Sequence, residues 1–189
     1  MKKLFSTLAA IAIAGTSLVA LAPQADASDR TCRGTIANAT IDGNVHVPAG
    51  ATCTLNDVTV KGDVKVERSA TLTTNRGYVD GNIQAEEGPR AITVNGTWVD
   101  GDVQTKYATG LVAVSGAYVN GNIQHVESGA SSLLTNRVGG DIQVFKNRGQ
   151  QLISSNRVDG NLQCKENRPA PVGGGNIVDG NKEDQCRNL

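Results

Sequence analysis

Neither sign of charge is in excess, with 18 Lys and Arg against 18 Asp and Glu, so nothing in the balance points to nucleic acid. The four cysteines contain no CxxC pair, and the two histidines, His46 and His125, stand far apart, which argues against a zinc site. Past the N-terminus no apolar run has helical spacing. No Pro- or Ser-rich stretch divides the chain, so no linker and no second domain are expected. Aromatic residues make up only 3% of the sequence. Their positions therefore carry more information than their number.

A hexapeptide recurs: Val79-Asp80-Gly81-Asn82-Ile83-Gln84 has relatives around Gly43, Gly62, Gly101, Gly121, Gly140, Gly160 and Gly180, spaced by 19 or 20 residues throughout. A fixed period in that range marks a solenoid, in which each unit buries its apolar side against its neighbours. Counted from each repeat glycine, position −2 is Ile or Val in all eight repeats, and position +2 is Val, Ile or Leu in seven. Position −7 adds Ile36, Leu55, Val94, Val114, Leu133 and Ile153; position −9 adds Leu72, Ile92 and Val112; position +4 adds Val47, Val66 and Val144. The pairs −9/−7 and +2/+4 have the strand period of two. We expect an all-β, single-domain right-handed parallel β-helix of about eight rungs, its hand following from the general crossover preference. A left-handed hexapeptide helix would need a six-residue apolar beat, and a leucine-rich repeat would need more fixed Leu. Gly followed by Asn or Asp is expected to supply a left-handed bend at each corner.

Residues 1–27 read as a secretory signal peptide: Lys2 and Lys3, an apolar run from Leu8 to Leu21, then Ala25-Asp26-Ala27. An uncleaved anchor is the other reading, but the run is short and interrupted by Thr16 and Ser17. Residues 28–189 are then the β-helix domain, extracellular or at the cell surface. Cys32 and Cys53 are 21 apart and Cys164 and Cys186 are 22 apart, about one rung each. The pairs Cys32–Cys53 and Cys164–Cys186 are expected as disulfides that staple the two ends.

The rung pattern resembles the short-rung β-helix proteins of bacteria, of which the bactofilins are the best known, and more loosely the pectin-lyase-like β-helices. The first resemblance implies a filament-forming role, whereas secretion and paired end cysteines depart from that family. The second implies an enzyme acting on polysaccharide, whereas the long loops that build such active sites are missing here.

Position −3 should face outward if −2 faces in. It reads Thr40, Thr59, Tyr78, Trp98, Tyr118, Arg137, Arg157. Three aromatics followed by two arginines would form either a stabilising ladder or a ligand platform, with ring faces for sugars and guanidinium groups for acidic substituents. A secreted, non-catalytic structural or surface-binding module is expected, with polysaccharide as the specific partner. It should need no cofactor and stay monomeric. The rival is a lyase or hydrolase using acids near Asp100. Asp80, Asp100 and Asp102 form either a weak calcium site or a solvated turn. Thr35, Thr54, Thr73 and Thr93, with Thr52 and Thr71, suggest either ordinary strand residues or an ice-binding face. The columns Asn44 to Asn181 and Gln84 to Gln163 are expected to be structural, the Gln amides bonding along the axis. Lys182, Glu183 and Asp184, with Gly173-Gly174-Gly175, read as a polar cap on the last rung.

Overall fold

The computed structural model describes residues 28–189, so the expected signal segment lies outside the described residues. The described chain is all β and winds as a parallel solenoid of three sheets. Sheet 1 has nine strands, from Arg30–Thr31 to Lys182–Asp184; sheet 2 has eight, from Gly34–Ala37 to Val172–Gly174; sheet 3 has eight, from Thr40–Ile41 to Ile177–Val178. Every strand pairs in parallel with the one a single turn away, as in Ile83↔Val103↔Ile123↔Ile142. Columns of the repeat are therefore stripes in space.

The alternation within each strand decides what is buried. Positions −9, −7, −2, +2 and +4 point inward and stack as mainly aliphatic columns, with Leu72, Ile83, Ile92, Ile123, Leu133, Ile142, Ile153 and Leu162 fully enclosed. Each such side chain contributes about 1.5–3 kcal/mol by leaving water. Cys32–Cys53 and Cys164–Cys186 are both disulfides, with Cα–Cα distances of 5.5 and 5.1 Å, linking neighbouring rungs at the two ends.

The corners correct one expectation. None of the repeat glycines has a left-handed backbone. Left-handed residues instead form columns at the other two corners: Asn38, Asp57, Arg76, Gly96, Gly116, Thr135, Ser155 and Gly175 between sheets 2 and 3, and Ser69, Gly88, Tyr107, Glu127, Lys146 and Glu166 between sheets 1 and 2. The repeat glycine is required for closeness. A Cβ on Gly81, Gly101, Gly121, Gly140 or Gly160 would collide with the Oδ1 of Asp63, Asn82, Asp102, Asn122 or Asp141 on the preceding rung.

Those oxygens belong to a continuous ladder. Each residue after the glycine accepts the backbone N–H of its counterpart one rung on, through Asn44, Asp63, Asn82, Asp102, Asn122, Asp141 and Asn161, at 2.6–2.9 Å, the series ending at the N–H of Asn181. Asp29 begins the series by accepting from Asn44. The glutamine column is less regular than expected. Gln143 donates to Gln163 and Gln163 to Glu183, but Gln104 donates to Asp102 Oδ2 in its own rung. A carboxylate oxygen left over from the neighbouring ladder is a stronger acceptor than another amide.

The last rung keeps its strands while losing its core side chains. Val172–Gly174 still pairs with Leu152–Ser154, and Lys182–Asp184 with Leu162–Cys164. Residues 185–189 then turn across the end, burying Cys186 and packing Leu189 on the core.

Candidate functional site

The short strands of sheet 3 hold position −3 outward and in register: Thr40, Thr59, Tyr78, Trp98, Tyr118, Arg137, Arg157 and Ile177 follow one another. All five residues singled out in the sequence thus share one stripe. Parallel strands lie about 4.8 Å apart, which forces rings at successive rungs into contact. Trp98 and Tyr118 stack with centroids 4.1 Å apart and planes at 29°, while Tyr78 tilts 41° to Trp98 at 6.5 Å. Trp98 stays 46% exposed, and both arginines are exposed. Trp98 is the ring of the stripe most open to solvent, with Tyr78 and Tyr118 partly buried on either side of it.

Position −1 flanks the stripe with Asp42, Lys61, Asp80, Asp100, Asn120, Gly139, Asp159 and Asp179. Lys61 is paired with Asp42 at 2.7 Å. Arg157 lies between Asp159 at 3.9 Å and Asp179 at 3.2 Å. Arg137 forms no ion pair among the described residues: position −1 is Gly139 in its own rung and Asn120 in the one before, and Asp159 in the one after lies against Arg157. At the other end the field is negative. Burial, then the Asp100 and Asp80 carboxylates, push the Tyr78 hydroxyl above its ordinary pKa, and that hydroxyl donates to Asp80 at 3.4 Å.

Asp80, Asp100 and Asp102 do not converge as a cation site, and no group of three acidic, His or Cys side chains among the described residues is placed to hold an ion. Asp102 is committed elsewhere: its Oδ1 accepts from Asn122 and its Oδ2 from Gln104. Shallow depressions lie on sheet 1, around His46, Glu67 and Glu86, and at the first rung near Asp29; Asp100 lines neither. In the first, His46 Nε2 meets Glu67 at 2.7 Å, and this bond, with the Ala49 N–H, holds the Glu67 carboxyl below its ordinary value.

On sheet 2 the threonines are in register as expected, Thr35↔Thr54↔Thr73↔Thr93 beside Thr52↔Thr71. Next to them Asn75 donates to Asn56 and Asn95 to Asn75.

Sequence reasoning overlooked two further ladders inside the molecule. Between sheets 2 and 3, Asn136, Asn156 and Asn176 each accept the backbone N–H of the residue one rung earlier. Between sheets 1 and 2, Ser128, Asn147, Asn167 and Gln185 do the same. The recurring Asn-Arg pair at 136, 147, 156 and 167 was the available signal. Also overlooked was His125, fully buried at +4, whose Nε2 faces the Gly129 carbonyl at 3.4 Å. Its Nδ1 and the Oγ1 of its register neighbour Thr105 are buried without hydrogen-bond partners.

No family model matches the chain, and comparison with curated proteins and with solved structures finds no match.

Proposed function

We propose that this chain is a secreted, non-catalytic β-solenoid that binds polysaccharide along the stripe Tyr78, Trp98, Tyr118, Arg137 and Arg157. The observation that carries the reading is the Trp98–Tyr118 stack, held at 4.1 Å with the indole face half in water. A fixed aromatic surface offers the apolar faces of sugar rings a partner without ordering flexible side chains on binding. Two disulfides fit an oxidising compartment outside the cytosol.

The ends support a monomer. Arg30 and Lys182 occupy the inward +2 column at the first and last rungs, where every other rung has an aliphatic residue. Head-to-tail stacking would set one cation on the other. Gln185 closes its ladder by donating back to the Asn167 carbonyl.

The test is a glycan array with wild type and Trp98→Ala. Signals that fall at least about tenfold, roughly 1.4 kcal/mol, support the platform; equal signals remove it. Release of reducing ends or unsaturated sugars by the wild type would instead favour an enzyme of the pectin-lyase-like kind. The threonine array of sheet 2 supports a second reading, binding to a regular surface such as ice. Unaltered ice growth in the presence of the protein would discard it.

A further inference from the structure

We infer that the stripe selects a glycan in which a single acidic sugar is followed by at least three neutral ones, the acidic group resting on Arg137. The inference depends on the polysaccharide reading and narrows it.

Three observations carry it. The stripe has two arginines but only one available cation, since Arg157 is held by Asp159 and Asp179. The acidic column at −1 is broken at Asn120 and Gly139, the two rungs that flank the step from Tyr118 to Arg137. Gly139 has no side chain there and cannot gain one cheaply, because a Cβ would lie 2.5 Å from the Asn120 carbonyl. An anionic group approaching from the Tyr118 side can therefore reach the Arg137 guanidinium past neutral positions, Asp159 on the far side being engaged by Arg157, and can pair with it through two hydrogen bonds.

Toward Tyr78 the situation reverses. Asp80 and Asp100 stand beside the rings, and their effect is already registered by the Tyr78 hydroxyl. A glycan lying along the solenoid axis and carrying a charge on every ring would press carboxylates against these two. One charged ring at Arg137, with uncharged rings over Tyr118, Trp98 and Tyr78, satisfies both ends of the stripe. A uniformly neutral chain would leave Arg137 unused, and a uniformly acidic one would be repelled along half its length.

The experiment compares three hexasaccharide probes by calorimetry on the full secreted chain. One is neutral (cellohexaose), one carries a single uronic acid (cellohexaose oxidised to a carboxylate at C6 of its non-reducing terminal ring), and one is acidic throughout (an oligogalacturonate). The singly charged probe should bind about tenfold more tightly than either other, the size expected of one charge-assisted pair. Arg137→Gln should reduce it to the level of the neutral probe without changing that probe's binding. Asp100→Asn should improve the all-acidic probe selectively. If the neutral probe binds best, or Arg137→Gln affects all probes equally, the inference is overturned while the aromatic platform survives. If none binds and Trp98→Ala changes nothing, both readings fall together.

Discussion

Glycine occurs in this molecule for two unrelated reasons, and one rung contains both. Gly116 has φ of 59° with open space around it, while Gly121 has an ordinary backbone but no room, a Cβ there meeting Asp102 Oδ1 and the Gly101 carbonyl. Gly116→Ala should cost about 1–2 kcal/mol of left-handed strain, and Gly116→Asn much less, since Asn tolerates that conformation. Gly121→Ala should cost about 1–3 kcal/mol from crowding, and Gly121→Asn at least as much. Urea denaturation of the four variants distinguishes the cases; rescue of position 121 by Asn would refute the steric explanation. The repeat made the glycines visible in the sequence but not their purpose. A Gly-Asn pair is compatible with a left-handed turn and with a close inter-rung approach, and only the position of the preceding Asx oxygen separates them. Conversely, Arg76, Thr135 and Lys146 adopt positive φ without belonging to the residue types that announce it.

At the scale of the ladder, the alternation of acid and amide has a donor-acceptor logic. Asp102 Oδ1 receives both the N–H and the Nδ2 of Asn122, and Asn122 Oδ1 receives the N–H of Asp141. Amides can give and take, whereas a carboxylate can only accept. Asn122→Asp would place three carboxylates on consecutive rungs and delete one donor. We expect a loss of about 1–2 kcal/mol, shrinking as salt is added, and Asp102→Asn should be nearly neutral by comparison. Thermal melts at low and high ionic strength report both; equal effects of the two variants would sink the alternation argument. The buried ladders should be less forgiving. Asn156 accepts from Asn136 through both N–H and Nδ2, and its own Nδ2 donates to the Leu133 and Asn176 oxygens. Asn156→Ala leaves those partners buried and unpaired, and should cost about 3 kcal/mol or more by denaturant titration. A loss below about 1 kcal/mol would mean that water replaces the amide. These interior ladders were hard to read because they begin partway along: the same columns hold Ala117 and Ala108 one turn earlier. The outward stripe, by contrast, follows directly from strand alternation once the period is known. What its alternation could not convey was which arginine is already paired, since Asp179 lies 22 residues from Arg157.

For the molecule as a whole, the ends and the core set how it responds to concentration and to acid. If the cations at Arg30 and Lys182 keep rungs of different molecules apart, replacing both with Val restores the aliphatic column at each end. The double variant should then gain mass with concentration in light scattering while the wild type stays constant. A wild type that associates by itself would contradict the proposed capping. Acid acts through the interior. Burial lowers the pKa of His125 from 6.5 to about 4, and the inward column around it, with Thr105 before it and Val144 after it, holds no charge to offset a proton. The unfolded chain binds that proton below its ordinary pKa and the folded chain resists it until about 4. Its contribution is therefore fully present above 6.5 and drains away as the pH falls toward about 4, a loss of about 3 kcal/mol. Asp29, lowered mainly by the Asn44 N–H, and Glu67, lowered mainly by His46, have the same sign but act further down, as the pH falls through their depressed values. His125→Val, matching Val47, Val66 and Val144 of the same column, should flatten the stability profile between pH 6.5 and 4 and leave the fall at lower pH in place. Unfolding free energies measured across that interval test the assignment. Parallel decline of wild type and variant would show that the proton is taken up elsewhere.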